Sequence, residues 1–176
     1  MVTIMNLMDY LPGVPDFPKP GILFRDISPL VADREAFRQA IMLLDGLARA
    51  HHYTHLAAIE SRGFIFGSAL SLHANKGLVL LRKPNKLPLA SHRESYGLEY
   101  GSDALEIQQS SLPKGAKVLI IDDVLATGGT IVAAAKLVRR AGFNVCGAIT
   151  ILEIAGLHGG EALEQHQIPF RTILRS

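Results

Sequence analysis

This sequence predicts an α/β fold, a mostly parallel sheet flanked by helices, and three observations carry the prediction. Apolar runs at 56–59, 77–81, 117–121 and 145–152 have strand length and little polar alternation, as expected of strands buried on both faces. Segments with helical spacing, at 63–74 and 131–141, lie between them, so strands and helices alternate as they do in a parallel sheet. A length of 176 residues fits one domain, residues 1–176, able to bury about 70% of its unfolded surface.

The elements follow in order. Residues 17–27 are too proline-rich to join a central sheet, yet carry Phe17, Ile22, Leu23, Phe24 and Ile27, so residues 1–32 are expected to cover something as an N-terminal hood. Asp33 is placed as the N-cap of a helix to about residue 50, with Ala36, Phe37, Ala40, Ile41, Leu44 and Leu47 on its inner face. The strand at 56–59 ends at Glu60, and the turn Ser61-Arg62-Gly63 opens the next helix. The strand at 77–81 ends in Arg82-Lys83. Residues 84–97 hold two prolines, scattered charge and no periodicity, which predicts a long mobile loop. Residues 98–107 alternate in hairpin fashion around Gly101, and 170–174 can add an edge strand.

Composition excludes several classes. Hydrophobic residues make up 48% and charged residues 19%, as in globular proteins, and a net charge of +2 without a basic run argues against a nucleic-acid partner. Cys146 is the only cysteine, so no internal disulfide forms, and a buried thiol in a cytoplasmic protein is expected. No targeting peptide and no stretch of 18 apolar residues is present, so no membrane span is expected.

The most informative segment is 118–130, Val-Leu-Ile-Ile-Asp-Asp-Val-Leu-Ala-Thr-Gly-Gly-Thr, a strand ending in two carboxylates, then a short loop and a helix start. N–H groups at Ala126, Thr127, Gly128, Gly129 and Thr130 can face an anion, because the first turn of a helix leaves its donors unpaired beside a partial positive charge. Asp122 and Asp123 can accept from vicinal hydroxyls. A polar strand end followed by a turn with a threonine cap is the plainer alternative, against which two adjacent glycines favour close approach of a ligand to the backbone. No Walker or dinucleotide fingerprint is present. Glu60-Ser61-Arg62, Arg82-Lys83 and Asp122-Asp123 close three strands, and in a parallel sheet they share one edge. Cations beside a phosphate loop point to a substrate with more than one phosphate group, and the carboxylates to a sugar or a metal ion. Seven histidines show no ligand spacing, and no G-x-S-x-G elbow occurs.

Residues 118–130 resemble the phosphoribosyl pyrophosphate motif of the type I phosphoribosyltransferases. Phe17-Pro-x-Pro-Gly21, Phe24-Arg-Asp-Ile27, Ser61-Arg-Gly-Phe-x-Phe-Gly67, Arg82-Lys-Pro-x-Lys-Leu-Pro88, Leu98-Glu-Tyr-Gly101 and Leu105-Glu-Ile107 resemble the adenine-specific branch of that family, in order and over nearly the whole chain. Asn85 stands where glycine is common, and Glu60 where some relatives have Asp.

The resemblance implies transfer of the 5-phosphoribosyl group to N9 of adenine, giving AMP and pyrophosphate with Mg²⁺ held mainly through substrate. It implies the 5′-phosphate on residues 126–130, the ribose hydroxyls on Asp122 and Asp123, and pyrophosphate on Glu60, Ser61, Arg62, Lys83 and Lys86, with a cis 60–61 peptide. Leu23, Phe24 and Arg25 would recognise adenine, and Glu99 would be the catalytic acid/base. A homodimer with residues 61–67 near its interface is implied too. A different base, or a regulatory module that binds without chemistry, is disfavoured by the blocks at 24–27 and 98–101 and by the absence of a nucleic-acid domain or basic face.

Overall fold

The computed structural model describes residues 5–98, 101–108 and 112–176. The chain divides into two compact units, residues 1–43 and 44–176.

In the first unit the proline-rich segment folds as its own antiparallel ribbon, β1 (Gly13–Pro15) with β2 (Leu23–Arg25). Asp16 turns the chain at φ 56°, its Oδ1 accepting from Gly21 N–H at 2.8 Å, and the Phe17–Pro18 peptide is cis. Phe17 and Phe24 meet edge to face with centroids 5.1 Å apart, a favoured aromatic geometry that fastens the ribbon. Asp26 Oδ1 accepts from Ser28 N–H at 2.8 Å where α1 (Ser28–Ala32) begins. Helix α2 (Arg34–Ala48) follows, capped as expected by Asp33, whose Oδ1 accepts from Glu35 and Ala36 N–H at 3.0 and 2.8 Å.

The second unit is built on a parallel sheet. Its strands are β3 (His55–Ile59), β4 (Gly77–Leu81), β7 (Lys117–Ile121), β8 (Val124–Leu125), β9 (Asn144–Glu153) and β10 (Phe170–Arg175), with α3 (Gly63–Ala74), α4 (Gly129–Arg140) and α5 (Gly159–Gln165) as connections. Spatial order is β10-β9-β7-β3-β4, and β8 prolongs the line of β7 alongside β9. All but the first residue of β3 and of β7 are buried, which explains their unbroken apolar runs. Ala57, Ile59, Val118 and Ile120 share one core with Ile131, Ala134 and Val138 of α4. On the other face a side chain at Gly67 of α3 would meet Ala58 Cβ at 2.6 Å, so α3 lies close against the sheet there.

Within the loop expected at 84–97, residues 84–89 are turns and irregular backbone, but residues 90–97 form a strand. β5 (Ala90–Leu98) pairs antiparallel with β6 (Gly101–Gln108), and an isolated bridge between Arg82 and Glu106 joins this hairpin to the end of β4. His92, Arg93, Glu94 and Ser95 carry no strand periodicity; pairing with a partner strand fixes them, and sequence pattern does not report that.

Among the described residues no helix is long and apolar enough to cross a membrane.

Candidate active site

The carboxyl ends of β4, β3 and β7 lie side by side, and the chain direction across the sheet reverses at β3, the crevice where open α/β sheets take their ligands. β7 stops at Ile121 and β8 starts at Val124, leaving the two aspartates as an interruption. Their backbone stays tied to β9: Asp122 N–H donates to Ile149 O at 3.2 Å, and Asp123 O accepts from Ile151 and Leu152 N–H at 3.0 and 3.1 Å. Asp122 Oδ1 accepts from Asp123 N–H at 2.9 Å. The first turn of α3 abuts this point, since a side chain at Gly63 would stand 2.9 Å from Ile121 O, and Arg62 is thereby brought to Asp123, Nε to Oδ2 2.8 Å. That contact is close but not aligned as a hydrogen bond, so Asp123 Oδ2 is buried beside a charge without an aligned donor. Burial, followed by the neighbouring Asp123 charge, pushes the Asp122 carboxyl well above the ordinary carboxylate range. Burial raises Asp123 too, with Arg62 opposing it.

The loop that follows is shaped by Gly128. Its φ is 84°, and a side chain there would meet Gly159 O at 2.9 Å and Ala162 Cβ at 3.1 Å, so both conformation and space require glycine. Gly128 is the N-cap of α4 and no side chain caps the helix, which leaves first-turn N–H groups for an incoming anion. The hairpin comes close as well: a side chain at Gly129 would stand 3.3 Å from Gly97 O, and a cavity of ≈ 340 Å³ bordered by Tyr96, Gly97, Thr127, Gly129 and Lys136 opens between them.

The ends of β3 and β4 are arranged differently. The Glu60–Ser61 peptide is cis. Glu60, with a side chain only 7% exposed, accepts from Lys86 Nζ at 2.7 Å, Lys83 N–H at 2.8 Å and Arg82 Nε at 3.2 Å. Burial alone would raise its pKa, but these three donors outweigh burial and hold it at about 2. Lys83 Nζ in turn pairs with Asp103 of β6. Asn85 takes φ 65°, a conformation asparagine tolerates, and its N–H donates to Glu106 Oε2 at 3.1 Å.

The structure therefore brings together Glu60, Lys83 and Lys86 at the ends of β3 and β4, and Asp122, Asp123 and residues 126–130 after β7, with Arg62, next to Ser61, reaching across to Asp123. Leu23, Phe24 and Arg25 belong to the first unit, on β2, with Leu23 half exposed at 51%. Glu99 lies outside the described residues, between β5 and β6. Sequence reasoning missed Asp103, Tyr96 and the ion pairs of Glu60; the Leu105-Glu-Ile107 block was the only signal for Glu106. Among the described residues no cluster of three or more His, Cys, Asp or Glu could hold a metal.

Residues 34–171 match the phosphoribosyl transferase domain, the class that this fold and strand-end site define. The chain is 70% identical over 172 residues to the adenine phosphoribosyltransferase of Polynucleobacter asymbioticus, covering 98% of this chain and 100% of that one. It is similar to the crystal structure of the adenine phosphoribosyltransferase from Rhodothermus marinus, with TM-score 0.89, 44% identity and coverage of 97% and 96%. The APRTase from Giardia lamblia, complexed with 9-deazaadenine, gives TM-score 0.91 at 32% identity, with coverage of 98% and 99%. The chain belongs to the adenine phosphoribosyltransferase family.

Proposed function

We propose that this chain transfers the 5-phosphoribosyl group from phosphoribosyl pyrophosphate to N9 of adenine, forming AMP and pyrophosphate. The observation that carries the proposal is the uncapped N-terminus of α4 behind Gly128, set directly after the half-buried Asp122 and the buried Asp123. Anion donors and hydroxyl acceptors stand together there, as a sugar phosphate requires. Ala126, Thr127, Gly128, Gly129 and Thr130 hold the 5′-phosphate, and Asp122 and Asp123 take the ribose hydroxyls. The Glu60–Ser61 peptide, Arg62, Lys83 and Lys86 receive pyrophosphate, while the Glu60 carboxylate keeps Lys86 and Arg82 in place.

As the bond from ribose to pyrophosphate breaks, positive charge grows on the ribose and negative charge on the leaving group. The cations at 62, 83 and 86 stabilise the second of these. Mg²⁺ would be held mainly through the substrate, with Asp122 and Asp123 as the nearby carboxylate acceptors, and would supply charge neutralisation on the leaving group. Glu99 is the acid/base that moves a proton on the adenine ring as N9 attacks. Leu23, Phe24 and Arg25 recognise adenine, and residues 84–97 exclude water as the competing acceptor. The protein works as a cytoplasmic homodimer, with residues 61–67 near the interface.

Incubation with Mg²⁺, phosphoribosyl pyrophosphate and each purine base in turn tests the reading. AMP formed only with adenine supports it; a product with guanine or hypoxanthine instead, or binding without any product, contradicts it.

A further inference from the structure

We infer that Asp103 is a positioning residue for the leaving group, a counter-ion on the hairpin that holds Lys83 and yields it to pyrophosphate. The inference rests on the reading that Lys83 binds pyrophosphate.

Lys83 is held at two points. Its backbone N–H is fixed to Glu60 Oε2 at 2.8 Å, at the strand end, while its ammonium pairs with Asp103 Oδ2 on the hairpin. The Asp103 carboxylate is itself oriented, because its Oδ1 accepts from Ala104 N–H at 2.8 Å and so leaves Oδ2 for the lysine. Tyr96, the cross-strand partner of Asp103, completes the seat. Its hydroxyl lies 3.5 Å from both Lys83 Nζ and Asp103 Oδ2, and its ring centroid is 6.0 Å from the ammonium. Glu60 could not play the same part: both its oxygens are occupied, by Lys86 on one side and by Arg82 and the Lys83 N–H on the other, in a side chain 7% exposed.

The Asp103 side chain, 23% exposed against 7% for Glu60, holds its lysine in a wetter setting, which makes the Lys83–Asp103 pair the exchangeable one. Pyrophosphate carries several charges against one for Asp103, so it draws the ammonium away while the backbone stays anchored on Glu60. When pyrophosphate departs, Asp103 recaptures the lysine and lowers the affinity for product. Asp103 therefore works against pyrophosphate binding, although it stands beside the site.

Calorimetric titration of Mg²⁺-pyrophosphate into wild type, Asp103→Asn, Asp103→Glu, Lys83→Ala and the Asp103→Asn/Lys83→Ala double variant tests this. Asp103→Asn is expected to bind pyrophosphate about 2- to 5-fold more tightly, the range typical of a partly exposed ion pair. Asp103→Glu should behave as wild type, and the double variant as Lys83→Ala. In steady state, Asp103→Asn should lower KM for phosphoribosyl pyrophosphate without raising kcat. Unchanged or weaker pyrophosphate binding by Asp103→Asn, with Lys83→Ala weakened, overturns the inference alone. Wild-type affinity in Lys83→Ala removes Lys83 from the pyrophosphate site and overturns both. Asp103→Ala replaces the amide should that variant not fold.

Discussion

At the end of β7, Asp122 and Asp123 sit with Arg62 as their cationic neighbour and burial drives both carboxyls upward, whereas at the ends of β3 and β4 Glu60 is matched by three donors and falls to about 2. One region carries helix donors and acceptors whose burial cost Arg62 offsets only in part; the other is neutralised from within. A ligand reaching the first relieves an existing cost by giving hydroxyls to the aspartates and phosphate oxygens to α4. A ligand reaching the second must compete for cations already paired. Tight recognition is therefore expected of the phosphoribosyl half, and ready exchange of the pyrophosphate half.

The largest way to break this comparison is Gly128→Ala. A side chain at φ 84°, 2.9 Å from Gly159 O, distorts the loop, and the affinity for phosphoribosyl pyrophosphate should fall roughly 10- to 100-fold by calorimetry.

Asp122→Asn should weaken the same ligand roughly tenfold, while raising the Tm measured without ligand at pH 8. The sign follows from the raised pKa: the native state binds more protons than the unfolded chain, so stability falls as pH rises from the ordinary value of 3.8 through the native one. The amide removes that cost; a Tm lowered by several degrees would show that the carboxylates are compensated after all.

Glu60→Gln should act in the opposite sense, costing about 2 kcal/mol at pH 7, a Tm drop of roughly 4–8 °C. Its pKa is depressed from 4.5 to about 2, so its contribution is full above about 4.5 and is lost as pH falls through about 2. Thermal scans of wild type and variant should therefore converge toward pH 2; a constant gap would assign the loss to packing. The smallest effect is expected of Lys86→Ala, whose side chain is 50% exposed: pyrophosphate should bind about 2- to 5-fold more weakly, and less so at high salt.

Much of what distinguishes the two regions is legible in the amino-acid sequence. Strands β4 and β7 and helix α3 fall where the apolar runs and the Gly63 turn place them; β7, buried at all but its first residue, writes its limits in local hydrophobicity most plainly. The aspartate pair and the Gly128-Gly129 turn are legible for a related reason: close backbone approach demands glycine. The hairpin strand at 90–98 is not, since its residues are polar and its conformation comes from β6. Helix α5 is equally hidden, because Gly159-Gly160 looks like a loop until Gly159 is found against Ala126 O and Gly160 against Phe170. Asp103 and the Glu60 ion pairs depend on partners 20 to 26 residues away, which spacing alone does not choose.

The division of labour between the two regions is tested most directly by titrating ribose 5-phosphate and pyrophosphate separately into Gly128→Ala. The expected result is loss of ribose 5-phosphate affinity with pyrophosphate affinity kept. Equal loss of both, or loss of pyrophosphate alone, would contradict the assignment of the phosphoribosyl half to the β7–α4 turn and of the leaving group to the ends of β3 and β4.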